Sequence, residues 1–158
     1  MRWDLVDKFD VLKKGEYAKA SKKFSGSEDF FTEHFPGKPI VPEPLFIEMV
    51  AQVGGVLFGL GLDFKKEVIL AKITESRFLK AVSPPCSFVI EAKVEDERED
   101  GAWIVGTVMS GGKLISESRL LLVAIAGLGQ NDRKIVFNDH FLKHYDVYQV
   151  AKLSEVLS

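Results

Sequence analysis

The sequence predicts an α+β fold in which one long apolar helix is wrapped by an antiparallel β-sheet. The helix is indicated by residues 44–62, where Glu48 and Gln52 are the only polar side chains. The sheet is indicated by the segments after Asp63, which are apolar and β-branched runs joined by tight turns. The chain has 158 residues, of which 46% are hydrophobic, so one domain with a sizeable core is expected.

The N-terminal part is expected to supply strands and a restrained loop before this helix. Residues 1–12 fit either a strand or a short helix, residues 16–24 alternate as a strand does, and Ser27 suits the N-cap of a short helix ending near residue 32. Residues 34–44 contain four prolines and one glycine, which restrict the backbone. Pro44 suits the first helical position, and Gly61 predicts the end of the helix.

The C-terminal part is predicted as a strand meander followed by an appended helix. The predicted strands are residues 67–73, 76–82, 87–95, 102–109 and 113–126. The turns between them fall at Pro84-Pro85, in the charged residues 96–101 and at Gly111-Gly112. We therefore place one domain over residues 1–126. Residues 127–158 are a flexible joint and an amphipathic helix, capped by Asn138, that packs on the domain or on a partner subunit.

Composition and charge exclude several classes of function. The net charge of −2 provides no basic footprint for nucleic acid. Cys86 is the only cysteine, so no internal disulfide forms and cysteine alone builds no zinc site. The first residues show no signal-peptide pattern, which predicts a cytoplasmic protein. Residues 44–62 are long enough to span a bilayer, but their two polar side chains and four glycines favour a buried core helix over a membrane span.

Two titratable residues near the start of the long helix suggest acid–base chemistry. An ionised carboxylate such as that of Glu48 is costly on an apolar helix unless it is paired, protonated or facing a cleft. His34 lies in the restrained loop just upstream, and an imidazole can take up a proton near neutral pH. The alternatives are that His34 only caps a turn and that Glu48 pairs with a buried Arg77 or Arg119.

Residues 34–52 read HFPGKPIVPEPLFIEMVAQ. This closely resembles the active-site segment of the hotdog-fold 3-hydroxyacyl-[acyl-carrier-protein] dehydratases, the FabZ-like branch, without a gap between its histidine and its glutamate. Residues 73–84 and 105–124 resemble later strands of that family, so the resemblance covers about residues 5–126. It implies a hotdog fold and an enzyme of fatty acid biosynthesis that converts 3-hydroxyacyl thioesters to trans-2-enoyl thioesters. It implies no metal or redox cofactor.

The resemblance also assigns roles to residues. His34 and Glu48 fall on the catalytic pair, Gln52 orients Glu48, and Phe35 supports the loop. The implied assembly is a homodimer, or a hexamer of stacked dimers, in which His34 of one subunit meets Glu48 of the other. The implied substrate is bound to acyl carrier protein or to CoA. Its acyl tunnel is assigned to Phe31, Leu45, Met49 and Phe78. Candidates for a basic rim that meets an acidic carrier are Lys72, Arg77, Lys80 and Lys113, and the alternative for each is an ordinary solvated strand face.

Two departures from the family pattern keep other functions open. The family has Pro-Gly before the helix, whereas this chain has Pro42-Glu43. The resemblance assigns the backbone N–H groups of Glu43 and Gly37 to position the thioester carbonyl. The side chain of Glu43 adds a negative charge at that place. Met49 replaces a smaller residue beside the acyl path. The alternatives are a hotdog-fold acyl-CoA hydratase, a thioesterase or a non-catalytic acyl-binding protein.

One further pattern lies in the predicted tail helix. His140 and His144 are four residues apart, a spacing that can bind a metal. Because no third histidine or cysteine lies nearby in the sequence, we expect a solvated helix face and no metal there.

Overall fold

The computed structural model describes residues 3–127 and 135–157. The strands and helices of this part of the chain are β1 (Lys8–Lys13), β2 (Tyr17–Phe24), a short 3-10 helix (Asp29–Thr32), α1 (Pro44–Gly61), β3 (Glu67–Phe78), β4 (Cys86–Arg98), β5 (Gly101–Ser110), β6 (Lys113–Ile125), α2 (Asp139–His144) and α3 (Val147–Val156). The predicted joint at residues 127–131 lies largely outside the described residues.

The six strands form a single sheet in the order β1-β2-β4-β5-β6-β3, and every neighbouring pair is antiparallel. Helix α1 packs against five of these strands, β2 to β6. Alternate residues of β5 are buried, because one face of the sheet meets the helix. The predicted α+β class, with an antiparallel sheet wrapped on one apolar helix, is confirmed.

Helix α1 lies in the core of the domain. By length and composition it could cross a membrane, and 72% of its residues are buried against the rest of the chain. It approaches the sheet closely at two glycines. A Cβ on Gly54 would lie 2.8 Å from the Cγ2 of Ile104, and a Cβ on Gly106 would overlap Val50 and the backbone oxygen of Glu91. These contacts fix one face of α1 on β5 and leave Glu48, which lies on the opposite face, turned away from the sheet.

Several element boundaries differ from those predicted. Residues 67–78 form one strand where two were predicted, because β-bulges at residues 70–72 and 73–75 interrupt the pairing of β3 with β6 and disturb the alternation of apolar residues. The N-terminal segment forms strand β1 from Lys8 onward. Ser27 is not an N-cap: Glu28 holds that position, and its carboxylate accepts hydrogen bonds from the N–H groups of Ser25 and Gly26.

The tail contains two helices where one was predicted. Asn138 caps α2 through its side chain, which accepts from the N–H of Phe141 at 2.9 Å, as expected. Asp146, the N-cap of α3, has a left-handed backbone (φ 50°), which separates the two helices. Helix α3 packs on β1.

The two edges of the sheet are covered differently. At β1 the N–H of Leu12 donates to Ser154 Oγ of α3 at 2.9 Å, so the tail covers that edge. The outer edge of β3 pairs with no strand among the described residues, although β3 carries exposed apolar side chains. Ile69 is 37%, Ile73 48% and Phe78 42% exposed. A long edge strand with exposed apolar side chains can pair with another chain.

Candidate active site

His34 is held by the loop that surrounds it. Its N–H donates to the carbonyl of Phe30 at 3.0 Å, and its own carbonyl accepts from the N–H of Ile40 at 2.9 Å. The half-buried ring stacks on Phe35 and places Nδ1 3.0 Å from the Ile40 carbonyl. Because a carbonyl only accepts, Nδ1 carries the proton of the neutral ring, which leaves the lone pair of Nε2 free to take another.

Glu48 lies near the start of α1, half-buried, on the face away from the sheet. Its Oε1 accepts two hydrogen bonds, from Trp3 Nε1 and from Gln52 Nε2, each at 3.0 Å. No hydrogen bond reaches Oε2 from the residues that the structure describes. The alternative of a buried arginine partner is wrong, since Arg77 pairs with Glu117 and Arg119 with Glu95.

Gln52 joins α1 to the N-terminal segment. Besides its bond to Glu48, its Nε2 donates to the Trp3 carbonyl at 3.2 Å, and its Oε1 accepts from the N–H of Leu5 at 3.3 Å. Sequence reasoning singled out Gln52 but missed Trp3, which is 45 positions from Glu48. No periodicity or motif connects the two; only the fold does.

Glu48 and Gln52 open onto a groove of ≈ 710 Å³ between α1, the start of β3 and the tail. At Gly55, one turn further on, an added Cβ would meet no atom within 4 Å, so this glycine contributes open space. The tail supplies one wall of the groove, with Phe137, His140, Phe141, His144 and Tyr145. His34 is not among the residues that line this groove.

The other predicted site residues lie in three settings. Phe31, Leu45 and Met49 are in the core, whereas Phe35 and Phe78 are exposed. Gly37 has a left-handed backbone (φ 74°) in the turn after His34. Glu43 is the half-buried N-cap of α1, and its backbone N–H has no acceptor among the described residues. An N–H group must be unpaired in this way if it is to bind the carbonyl of a ligand.

Tyr145 makes a second long-range contact that the sequence did not indicate. Its hydroxyl donates to Asp4 Oδ1 at 2.8 Å and to the Val6 carbonyl at 3.1 Å. Burial and the neighbouring Asp4 carboxylate raise the pKa of Tyr145 well above its usual range, so the hydroxyl stays a donor at neutral pH.

The tail histidines contact each other, and no third metal-ligating side chain joins them in the part of the chain that the structure describes. The rings of His140 and His144 stack with their centroids 6.3 Å apart. Within residues 3–127 and 135–157 there is no group of three or more His, Cys, Asp or Glu side chains that could hold a metal ion.

Comparison with known proteins identifies the family. The sequence profile of the FabA-like domain matches residues 2–119, which is most of the chain. The chain belongs to the FabA-like domain family.

A relative from Hydrogenobaculum sp. (strain Y04AAS1) is 34% identical over 123 residues, which cover 76% of this chain and 83% of the relative. One from Haemophilus influenzae (strain PittEE) is 35% identical over 119 residues, which cover 74% and 80%. Both are named 3-hydroxyacyl-[acyl-carrier-protein] dehydratase FabZ, which confirms the resemblance.

Solved structures match the FabA-like fold at low sequence identity. The conserved protein PA5202 from Pseudomonas aeruginosa aligns with a TM-score of 0.61 at 12% identity over 75% of this chain and 87% of its own. The dehydratase heterocomplex ApeI:P from Xenorhabdus doucetiae aligns with a TM-score of 0.56 at 17% identity over 69% and 88%. At such identities the likeness concerns the fold, and the chain has the α+β hotdog fold.

Proposed function

We propose that this chain is a cytoplasmic 3-hydroxyacyl-[acyl-carrier-protein] dehydratase of fatty acid biosynthesis, with His34 as the base and Glu48 as the acid. The family and the named relatives support the reaction class. The observation that carries the residue roles is the complementary hydrogen bonding of the two side chains. His34 has its Nδ1 bound and Nε2 open, and Glu48 has its Oε1 bound and Oε2 open.

These open atoms suit the two proton transfers of a dehydration. Nε2 of His34 takes the proton from C2 of the 3-hydroxyacyl thioester, and the electron pair of that C–H bond forms the C2–C3 double bond. The C3–O bond breaks, and the protonated Oε2 of Glu48 gives its proton to the departing hydroxyl, which leaves as water. The unpaired N–H of Glu43 binds the thioester oxygen while negative charge develops on it.

The site requires two chains. His34 is not in the lining of the groove that contains Glu48, and the β3 edge, which pairs with no other described strand, exposes Ile69, Ile73 and Phe78. Antiparallel pairing of this edge with the same edge of a second copy makes an isologous dimer with two equivalent sites. In each site His34 of one chain faces the Glu48 groove of the other.

An acidic carrier protein requires exposed cations near the site. Of the predicted rim, Arg77 pairs with Glu117. Lys72, Lys80 and Lys113 are exposed. We expect these lysines to speed the association with an acyl carrier protein, an effect that salt would reduce.

The direct test follows the 2-enoyl thioester by absorbance after a short 3-hydroxyacyl-[acyl-carrier-protein] is mixed with the protein. Free thiol is measured in the same samples, because its release without an enoyl product would indicate a thioesterase. His34→Ala and Glu48→Gln should each lower kcat by roughly 10²–10⁴-fold with the fold intact. Glu99→Gln, at an exposed hairpin tip, is the matched control. Full activity in both site variants would contradict the assignment.

Mixing the two inactive variants tests whether the sites are shared. After subunit exchange, about half of the dimers contain one chain of each kind, and one of their two sites is intact. The mixture should therefore recover about a quarter of wild-type activity. If each chain carried a complete site of its own, no activity would return.

A further inference from the structure

We infer that Trp3 is a positioning residue for the Glu48 carboxyl group and that the tail, residues 135–157, holds Trp3 in place. This inference rests on the role proposed above for Glu48. The family match ends at residue 119, so it gives the tail no function.

The contact at Glu48 decides which oxygen carries the acid proton. Trp3 Nε1 and Gln52 Nε2 both donate to Oε1 at 3.0 Å. An oxygen that accepts two N–H groups is a poor place for a proton, so the protonated carboxyl group bears its hydrogen on Oε2. The Trp3 side chain is 63% exposed and buries little surface, so the indole N–H is its main contribution.

The segment that carries Trp3 has no regular secondary structure and depends on side chains for its position. Leu5 and Val6 are anchored in the core, 1% and 2% exposed. On the tail side, the hydroxyl of Tyr145 donates to Asp4 and to the carbonyl of Val6. The ring of Tyr145 also meets the edge of Phe9, with the centroids 5.5 Å apart. The tail thus contacts both neighbours of Leu5, through the side chain of Asp4 and the backbone of Val6.

The tail is itself fixed to the domain by a buried carboxylate. Glu67, at the start of β3, is 3% exposed, and its two oxygens accept the N–H groups of Ile135, Val136 and Phe137. A continuous set of contacts therefore runs from Glu67 through the tail to Tyr145, then to Asp4 and Trp3, and ends at Glu48. The tail influences turnover through this path and need not touch the reacting atoms.

The first experiment measures steady-state dehydration by Trp3→Phe, which keeps an aromatic ring and loses the N–H. We expect kcat to fall roughly tenfold with KM unchanged, the size of one lost hydrogen bond to a carboxyl group. In the Glu48→Gln background the same substitution should have no further effect, since Trp3 acts through Glu48. Trp103→Phe is the control, because Trp103 lies on β5 under Arg119 and should leave kcat unchanged.

The second experiment does not depend on turnover. In a Trp103→Phe background Trp3 is the only tryptophan, so its fluorescence reports its surroundings. Tyr145→Phe and Glu48→Ala should each shift its emission to longer wavelength and increase quenching by acrylamide, because either change releases the indole.

The outcomes separate this inference from the proposed function. Three results would each overturn the positioning role. The first is a wild-type kcat in Trp3→Phe, and the second is a loss of kcat from Trp3→Phe that is as large in the Glu48→Gln background as in the wild type. The third is a Trp3 emission that neither Tyr145→Phe nor Glu48→Ala alters. If the Trp3 emission responds as expected but the protein performs no dehydration, the Trp3–Glu48 contact is supported and only the proposed function is contradicted.

Discussion

His34 is held by its neighbours in sequence, whereas Glu48 is held both by Gln52, one turn along its own helix, and by Trp3 from the N-terminal segment. The partners of His34, Phe30 and Ile40, lie four and six positions away. Glu48 depends on Trp3, 45 positions away, and through it on a tail about 100 positions further along the chain. The His34 half of the site forms with its own loop. The Glu48 half also requires the two ends of the chain to be folded, because Trp3 and the tail lie there.

This difference predicts that the two halves can be disturbed separately. A change in the tail should affect Glu48 and leave the His34 loop intact, and a change in the loop should do the opposite. In the proposed dimer, only a change at the interface between the two chains should affect both, because it separates His34 from Glu48.

The largest effect is expected from Ile69→Lys combined with Ile73→Lys on the β3 edge. Two lysines on each of two facing edges oppose pairing, so the protein should be monomeric by light scattering. Its kcat/KM should fall at least 100-fold, because His34 and Glu48 no longer meet. Val89→Lys is the control: Val89 is also exposed, but its strand β4 has a neighbour on each side. A fully active monomer would show that each chain contains a complete site.

A smaller effect is expected from Glu67→Gln, which acts on the Glu48 half. The amide leaves one oxygen to accept from three N–H groups, so the tail should open more often. Hydrogen exchange should accelerate at residues 135–137 and stay unchanged at Ile40. The expected loss in kcat is several-fold, smaller than that of Trp3→Phe, because the tail still docks part of the time. Equal acceleration in both regions would contradict the separation of the two halves.

The smallest effect is expected from Gly37→Ala, which acts on the His34 half. An added Cβ would meet no atom within 4 Å, so the cost comes only from the positive φ of 74°. That cost is about 1–2 kcal/mol, and it should lower the melting temperature by several degrees and kcat by a few-fold. Gly37→Asn should do less harm, since asparagine tolerates this backbone. Trp3 emission should not change in either variant.

The same contrast explains what could be predicted from the sequence. Helix α1 was predicted almost to the residue, because Pro44 and an uninterrupted apolar run mark it locally. The predicted antiparallel sheet was confirmed, but β3 was divided in two because bulges at residues 70–72 and 73–75 disturb its alternation. The contacts of Trp3, Glu67 and Tyr145 leave no pattern in a single sequence, since each joins segments that only the folded chain brings together.

The unequal edges of the sheet have a consequence for assembly. Once two β3 edges have paired, the strands left at the ends are the two copies of β1, and α3 packs on each. If each chain can pair with another chain at only one edge of its sheet, the assembly ends at two copies. In the proposed dimer, the aliphatic residues exposed along β3 would therefore join two chains without starting a fibril, because the tail covers the edge at which a third chain would add.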